Sequence, residues 1–340
     1  MKYRKFSDLG WNISEVSLGC WQLGWCWGEK LSEQEVEKML KKSLDLGVNF
    51  FDTSDTYGDG RSEKFLSKIA KSSLSGQQKE KIYITTKLGR RHRNTKYPKT
   101  LYPEGIYTLE AMEEFVDRSL KNLRLEKIDL LQLHCPPLEV LKDPKTQDVL
   151  KTLVKKGKIL NYGVSIYYLS EGYEAMKIPD LKSMQIQFSM IRQKPNESFF
   201  DLAKKNNIAI IVRGPLASGL LSGEINKGTK FSENDHRNYN LDGSKHNISE
   251  TFAGVDFEQG LKFVEELKKI LPKNFTLSEL ALKWILMHDK VTTVIPGSLS
   301  QSQLEANSLV SSKESIAELM PEIRSIYEKI IKKNNHDLWD

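Results

Sequence analysis

Gly47-Val48-Asn49-Phe50-Phe51-Asp52-Thr53-Ser54-Asp55-Thr56-Tyr57-Gly58-Asp59-Gly60-Arg61-Ser62-Glu63 is the stretch on which the reading of this 340-residue chain turns. It opens with a short apolar run, breaks at Asp52, and then sets a tyrosine among polar and glycine residues. A strand that ends on an acid and passes into a loop carrying a phenol is a poor way to build a core and a good way to build a site.

The same grammar recurs outward from this stretch. Before it, Ser32 three residues ahead of Glu35 forms a capping box. Val36, Met39, Leu40 and Leu44 then follow at helical spacing, and Gly47 ends the helix. After it come a helix at Arg61–Lys71, a β-rich run at Ile82–Lys87, and an amphipathic helix marked by Leu109, Met112, Phe115, Val116, Leu120 and Leu123. The apolar strand Ile128–His134 is next. Strands Ile159–Ser165, Ser183–Gln187, Ile208–Val212 and Val291–Ile295 alternate with helices near 145–156, 168–176, 197–206, 256–270, 277–288 and 300–310. Residues 3–19 read as a hairpin around Leu9-Gly10-Trp11-Asn12 followed by a first strand at Val16–Gly19, which makes eight strands, each followed by helix. A last helix near 320–333 closes the chain.

Mostly continuous hydrophobic strands suit a parallel sheet covered on its outside. Count and length fit an α/β fold of the (β/α)8 TIM-barrel type, a single domain over 1–340 with an N-terminal β-hairpin and extra helices at the C-terminal end. The alternative, a doubly wound sheet, calls for a G-x-G-x-x-G turn after the first strand. Gly19-Cys20-Trp21-Gln22-Leu23-Gly24 is not that turn. Between residues 214 and 254 the alternation lapses into Gly, Ser, Asn and Asp, which reads as a long loop, either functional or a surface insertion.

Composition narrows the classes. The chain is 39% hydrophobic and 28% charged, as a globular protein with a large core should be. Its net charge of +6, from 51 basic and 45 acidic residues, is spread along the chain, so nucleic acid is not an expected partner. Three cysteines, Cys20, Cys26 and Cys135, lack metal spacing and argue against a disulfide framework. No leader-like h-region follows Met1 and no run approaches about 18 apolar residues. The expectation is a cytoplasmic protein with no metal and no membrane span. Monomer and homo-oligomer both stay open.

In a barrel the strands' carboxyl ends carry the site. Here they end on Asp52 (with Tyr57 just beyond), Lys87, His134, Ser165 and Gln185-Ile186-Gln187. A phenol of pKa about 10 is a poor acid at neutral pH. A neighbouring Lys87 ammonium should lower it, Asp52 should hold that lysine charged, and His134 should steer a carbonyl oxygen toward the phenol. None of the four is a good carbon nucleophile, so reducing equivalents would come from a cofactor.

These residues resemble the aldo-keto reductase family over nearly the whole chain. The likeness is carried by Gly47–Glu63 (G-x-x-x-x-D-T-A/S-x-x-Y-G-x-G-x-S-E), Ile128–His134, Gly157–Ser165, Pro215–Gly223, Ile295-Pro296-Gly297 and Asn307. The resemblance implies a barrel enzyme that reduces an aldehyde or ketone with NADPH, or with NADH. The family's tetrad would fall on Asp52, Tyr57, Lys87 and His134. It further implies cofactor contacts from Ser165 and Gln185, from the loop holding Pro215, Leu216, Ser218, Gly219 and Ser222, and from Gln303 and Asn307.

Departures from the family pattern are also legible. Arg213 stands where many members place an aromatic residue against the nicotinamide. Ile166 follows Ser165, and Glu224 replaces a common lysine. Gly297 and Gln303 occupy positions that grip a 2′-phosphate in some members, for which Arg237 could compensate. Trp25, Trp27, Tyr97 and Tyr102 are candidates for a substrate mouth. Arg213 and the Arg90-Arg91-His92-Arg93 cluster would suit an anionic substrate. Relatives that serve as nucleotide-binding regulatory subunits of potassium channels, and a reductase of the keto group of a nucleotide-linked sugar, are the alternative readings.

Overall fold

The structure is a computed structural model that describes residues 1–24, 31–70, 81–90 and 104–340. The expectations for Trp25, Trp27, Tyr97, Tyr102 and Arg91-His92-Arg93 lie outside the described residues. Strands β1 (Tyr3–Phe6) and β2 (Trp11–Ser14) pair antiparallel as a hairpin. Eight strands then form one parallel sheet in chain order: β3 (Leu18–Gly19), β4 (Phe50–Asp52), β5 (Tyr83–Leu88), β6 (Ile128–His134), β7 (Ile159–Ser165), β8 (Ser183–Gln187), β9 (Ala209–Arg213) and β10 (Val291–Val294). Parallel bridges at Val16–Val294 and Gly19–Gly297 bring the last strand back to the first and close the barrel.

The two-residue alternation of a strand explains how one sheet serves both a core and a site. One set of positions, Phe51, Ile84, Leu131, Leu133, Val164, Met184, Ile186, Ile210 and Val212, packs into the apolar layers outside the sheet. The other set begins apolar, with Phe50, Tyr83, Leu130, Ala209 and Ile211 clustering with Phe6 and Ile13 of the hairpin. Phe6 lies 5.7 Å from the Phe50 ring, and Trp11 stacks on Tyr83 at 4.5 Å. The hairpin therefore plugs the amino-terminal end of the barrel. Two residues further along, the same inward series turns polar at Asp52, Thr85, Lys87, Gln132, His134, Gln185 and Gln187, all buried.

Around the sheet the helices start where their caps direct. Ser32 and Glu35 form the expected capping box on Glu33–Asp45, and Thr276 and Glu279 do so on Leu277–Leu286. Helices at Leu109–Leu123, Pro144–Lys155, Leu169–Ala175, Phe199–Lys205, Phe257–Lys269 and Gln301–Leu309 fall within a few residues of expectation. Three outcomes differ. Arg61–Leu66 is shorter than the spacing suggested, Leu138–Lys142 is an added short helix, and Met320–Tyr327 widens into a π turn at Glu328–Lys332.

Nor is the stretch from 214 to 254 structureless. It holds helical turns at Ala217–Ser222, His236–Tyr239, Ile248–Glu250 and Phe252–Gly254. The polar residues that read as loop are its internal ties. Asp235 accepts from Arg237 N at 2.8 Å, Asn247 from Ser249 N at 3.0 Å, and Asn240 from His246 N at 2.7 Å. Ser218 Oγ donates to the Glu250 carbonyl at 3.1 Å and accepts from Phe252 N at 3.2 Å, joining the two ends of the segment.

If the hairpin plug carries the amino-terminal core, Phe6→Ala should destabilise the barrel by about 3–5 kcal/mol, the usual range for a buried aromatic truncated to alanine. Urea unfolding would report this as a lowered midpoint. A change below about 1 kcal/mol would show that the hairpin is peripheral.

Candidate active site

At the carboxyl end, Lys87 reaches across from β5 to β4. Its Nζ donates to Asp52 Oδ2 at 2.6 Å, to the Thr53 carbonyl at 2.8 Å and to the Tyr57 hydroxyl at 3.3 Å. Lys87 is 1% exposed and Asp52 3%. Asp52 Oδ1 accepts from Gln185 Nε2 at 2.7 Å and from Gln132 Nε2 at 3.3 Å. A buried carboxylate is tolerated when its lone pairs are filled in this way. His134 follows Gln132 on the same face of β6. Its Nδ1 lies 3.1 Å from Ser54 Oγ, and its ring meets Tyr57 edge-on with centroids 5.9 Å apart.

Local backbone fixes where the phenol points. Gly58 has φ of +61°, and a Cβ there would lie 2.0 Å from the Gly24 carbonyl oxygen. Only glycine allows the Tyr57 turn to sit so close to the loop after β3. That loop supplies Trp21, whose ring stacks on Tyr57 at 6.0 Å and on His236 at 6.1 Å.

The electrostatics correct one expectation. Tyr57 lies above, not below, the ordinary tyrosine value, because burial outweighs the opposing Lys87 ammonium. Burial also works against the Lys87 charge, but Asp52 and Tyr57 together outweigh it and leave that lysine above its usual range. The group is a neutral phenol held against a charged ammonium.

The site opens onto a cavity of about 460 Å³. Its wall runs from Asp52, Tyr57 and His134 past Gln185 and Arg213, along Pro215, Leu216, Ser218, Gly219 and Ser222, to Gly297, Gln303 and Asn307. Glu224, His236 and Arg237 line it as well. Of the anticipated residues, Lys87 and Ser165 do not line it: Lys87 lies behind Asp52 and Tyr57, and Ser165 is buried beside Cys135, with 3.5 Å between Oγ and Sγ. Gln185 lines the cavity while its amide is committed to Asp52. Arg237 is held by Asp235 at 2.7 Å and lies over the Phe231 ring at 4.5 Å.

A model of the Aldo/keto reductase family matches residues 15–328. The chain belongs to the aldo/keto reductase family. Within it, the chain is 28% identical over 335 residues to the aldo-keto reductase YhdN of Bacillus subtilis, covering 97% of this chain and 95% of that protein. It is 29% identical over 303 residues to yakc of Schizosaccharomyces pombe, an aldo-keto reductase named with NADP(+), covering 87% and 83%. Among solved structures, the holo form of aldo-keto reductase AKR11C1 from Bacillus halodurans superposes with a TM-score of 0.73 at 26% identity, covering 99% of both chains. This aldo/keto reductase is accordingly an oxidoreductase of carbonyl compounds.

The structure also brings in residues that sequence reasoning passed over. Gln132 was within reach, since it lies two residues before His134 on one strand and so on the same face. Ser54 sits inside the opening stretch. Trp21 and Glu250 had no local signal, because their partners are distant in the chain.

Two outcomes follow. Lys87→Met alone would strand the buried Asp52 carboxylate and cost about 3–5 kcal/mol of stability, whereas adding Asp52→Asn should restore a large part of it. Denaturant titration of both single variants and the double variant would show this, and strictly additive losses would contradict the coupling. Burial also pushes the pKa of His236 down to about 4, so the ring is neutral in the fold. The unfolded chain takes up that proton near the ordinary value of about 6.5. Stability contributed by the neutral ring is therefore complete above about pH 6.5 and falls as the pH drops toward 4, by up to roughly 3 kcal/mol. Wild type should lose stability over that window more steeply than His236→Phe, and parallel curves would refute it.

Proposed function

We propose that this protein reduces an aldehyde or ketone to an alcohol with a nicotinamide cofactor, NADPH before NADH, and that Tyr57 donates the proton. The observation that carries the reading is the Tyr57 hydroxyl 3.3 Å from the Lys87 ammonium, beside a cavity of about 460 Å³ whose lining runs on to Gln303 and Asn307.

The cavity wall fits such a group. Gln22 Oε1 and Arg213 Nε are buried polar atoms in that wall with no hydrogen-bond partner among the described residues. Gln185 and Arg213 would face the nicotinamide end. Pro215, Leu216, Ser218, Gly219 and Ser222 would face the pyrophosphate, and Gly297, Gln303 and Asn307 the adenosine. The segment 214–254 would fold over the cofactor, with Arg237 toward a 2′-phosphate. The name of the fission-yeast relative supports NADPH. When bound, the reduced nicotinamide supplies the hydride.

The protein's own groups do the rest. His134, with Nδ1 toward Ser54, orients the carbonyl oxygen at the phenol. As that oxygen gains negative charge it takes the Tyr57 proton. The resulting phenolate is stabilised by Lys87, so the lysine contributes most after the proton has moved, in the transition state rather than before it. Asp52 is a positioning residue: it holds Nζ at 2.6 Å and keeps it charged.

Purified protein with NADPH and activated aldehydes tests this. Tyr57→Phe should lower turnover by at least roughly 10²-fold, the low end for general-acid catalysis, while binding NADPH as tightly as wild type. Equal rates of NADPH oxidation in the two would remove Tyr57 from the mechanism.

A further inference from the structure

At the rim of the cavity, one residue of the 214–254 segment points back into it. Glu250 accepts from Arg90 Nη2 at 2.8 Å and from the Tyr167 hydroxyl at 2.7 Å through the same oxygen, and its other oxygen is 3.6 Å from Arg213 Nη1. Both guanidinium groups also lie over the Tyr167 ring, at 5.5 Å for Arg90 and 5.1 Å for Arg213. Arg90, Arg213 and Glu250 all line the same cavity as Tyr57 and His134. The arrangement is a carboxylate seat built from two guanidinium groups and a phenol, with an internal carboxylate in it.

The charges around the seat do not cancel. Arg192, buried behind it, donates to Gln187 Oε1 at 2.7 Å and to the Tyr167 carbonyl. Glu171 accepts from Tyr167 N at 2.8 Å and Tyr168 N at 3.1 Å, so its carboxylate is spent on backbone. Among the described residues three arginines thus face two glutamates, which leaves one positive charge at a site where Arg213 and Glu250 are mostly buried and Arg90 is partly exposed. A surplus positive charge with limited access to water favours an anion at the seat, and the more so when Glu250 is away from it. Burial pushes Glu250 up, but Arg213 and Arg90 outweigh it and hold the carboxylate below its usual range, consistent with a strongly anion-attracting seat.

We propose that Arg90, Arg213 and the Tyr167 hydroxyl recognise a carboxylate on the substrate, so that the preferred substrates are oxo acids with the carboxylate a few bonds from the reacting carbonyl, and that Glu250 holds that carboxylate's place in the structure. This rests on the carbonyl-reductase reading above. A planar carboxylate accepts from guanidinium and phenol in the way Glu250 already does. A substrate carboxylate there would leave its carbonyl to Tyr57 and His134, which share the cavity.

The test is a ratio, which cancels losses of cofactor affinity or active fraction. With NADPH, kcat/KM for 4-oxobutanoate divided by that for butanal should exceed about tenfold in wild type, the scale of one charge-assisted hydrogen bond. Arg90→Gln and, separately, Arg213→Gln should each cut the ratio at least about tenfold. Glu250→Gln, which keeps the shape and removes the competing charge, should raise it severalfold. A wild-type ratio near one, or a ratio unmoved by Arg90→Gln, overturns the proposal. So does a tenfold loss of NADPH affinity in Arg90→Gln with the ratio unchanged, which would assign the pair to the cofactor. If neither aldehyde is turned over, carbonyl reduction fails, and calorimetry decides the seat alone. Succinate binding to Glu250→Gln, absent for 1,4-butanediol and lost on adding Arg90→Gln, supports the seat, and no succinate binding refutes it.

Discussion

The buried pair of Lys87 and Asp52 is the constraint on which the rest of the site depends. Both charges lie on barrel strands with almost no access to water, and neither would be tolerable there alone. Each neighbour answers that requirement. Gln132 and Gln185 fill the second carboxylate oxygen, the Thr53 carbonyl takes another ammonium proton, and the Tyr57 hydroxyl takes the direction that remains. The phenol is thus oriented by an ammonium held by Asp52 and the Thr53 carbonyl, with Asp52 itself held by Gln132 and Gln185. In the proposed reaction this stiffness would let the proton move without reorganisation as charge develops on a substrate oxygen.

The barrel separates the work of stability from the work of chemistry along each strand. Phe50 and Leu130 pack against the hairpin at one end, and Asp52 and His134 meet the cavity at the other, two to four residues away. The segment after β9 then covers the polar end. Its hold on the barrel is partly electrostatic, through Glu250 on Arg90 and Arg213, and partly apolar, since Phe252, Ala253 and Val255 join the main core cluster; Trp339 adds a hydrogen bond to the Ala253 carbonyl at 3.1 Å.

Most of the scaffold was legible in the sequence, for definite physical reasons. Strand ends such as Asp52, Lys87 and His134 stood out because a polar residue interrupts an apolar run, and helix starts at Ser32 and Thr276 are written in a four-residue motif. Residues joined only by the closed barrel were not legible. Arg90 and Glu250 are 160 positions apart, and nothing beside Glu250 marks it as buried. Trp21 carries no signal of its own, and only the pairing of β3 with β4 brings the loop that holds it onto Tyr57. The expected fall in the Tyr57 pKa went the other way because a charge partner can be guessed from strand order, whereas the depth of burial that opposes it cannot. The segment 214–254 looked irregular because Asn, Asp and Ser spend their side chains on turns inside it.

A neutral phenol poised on a charged lysine is the centre of this account, and its ionisation can be read directly. Tyrosine labelled with 13C at Cζ, with the Tyr57 signal assigned by its disappearance in Tyr57→Phe, gives the titration of that one hydroxyl by NMR. The phenol should remain protonated through neutral pH and ionise only above about 10, the ordinary value. A Tyr57 signal already that of phenolate at pH 8 would contradict the account, because the group would then have no proton to give.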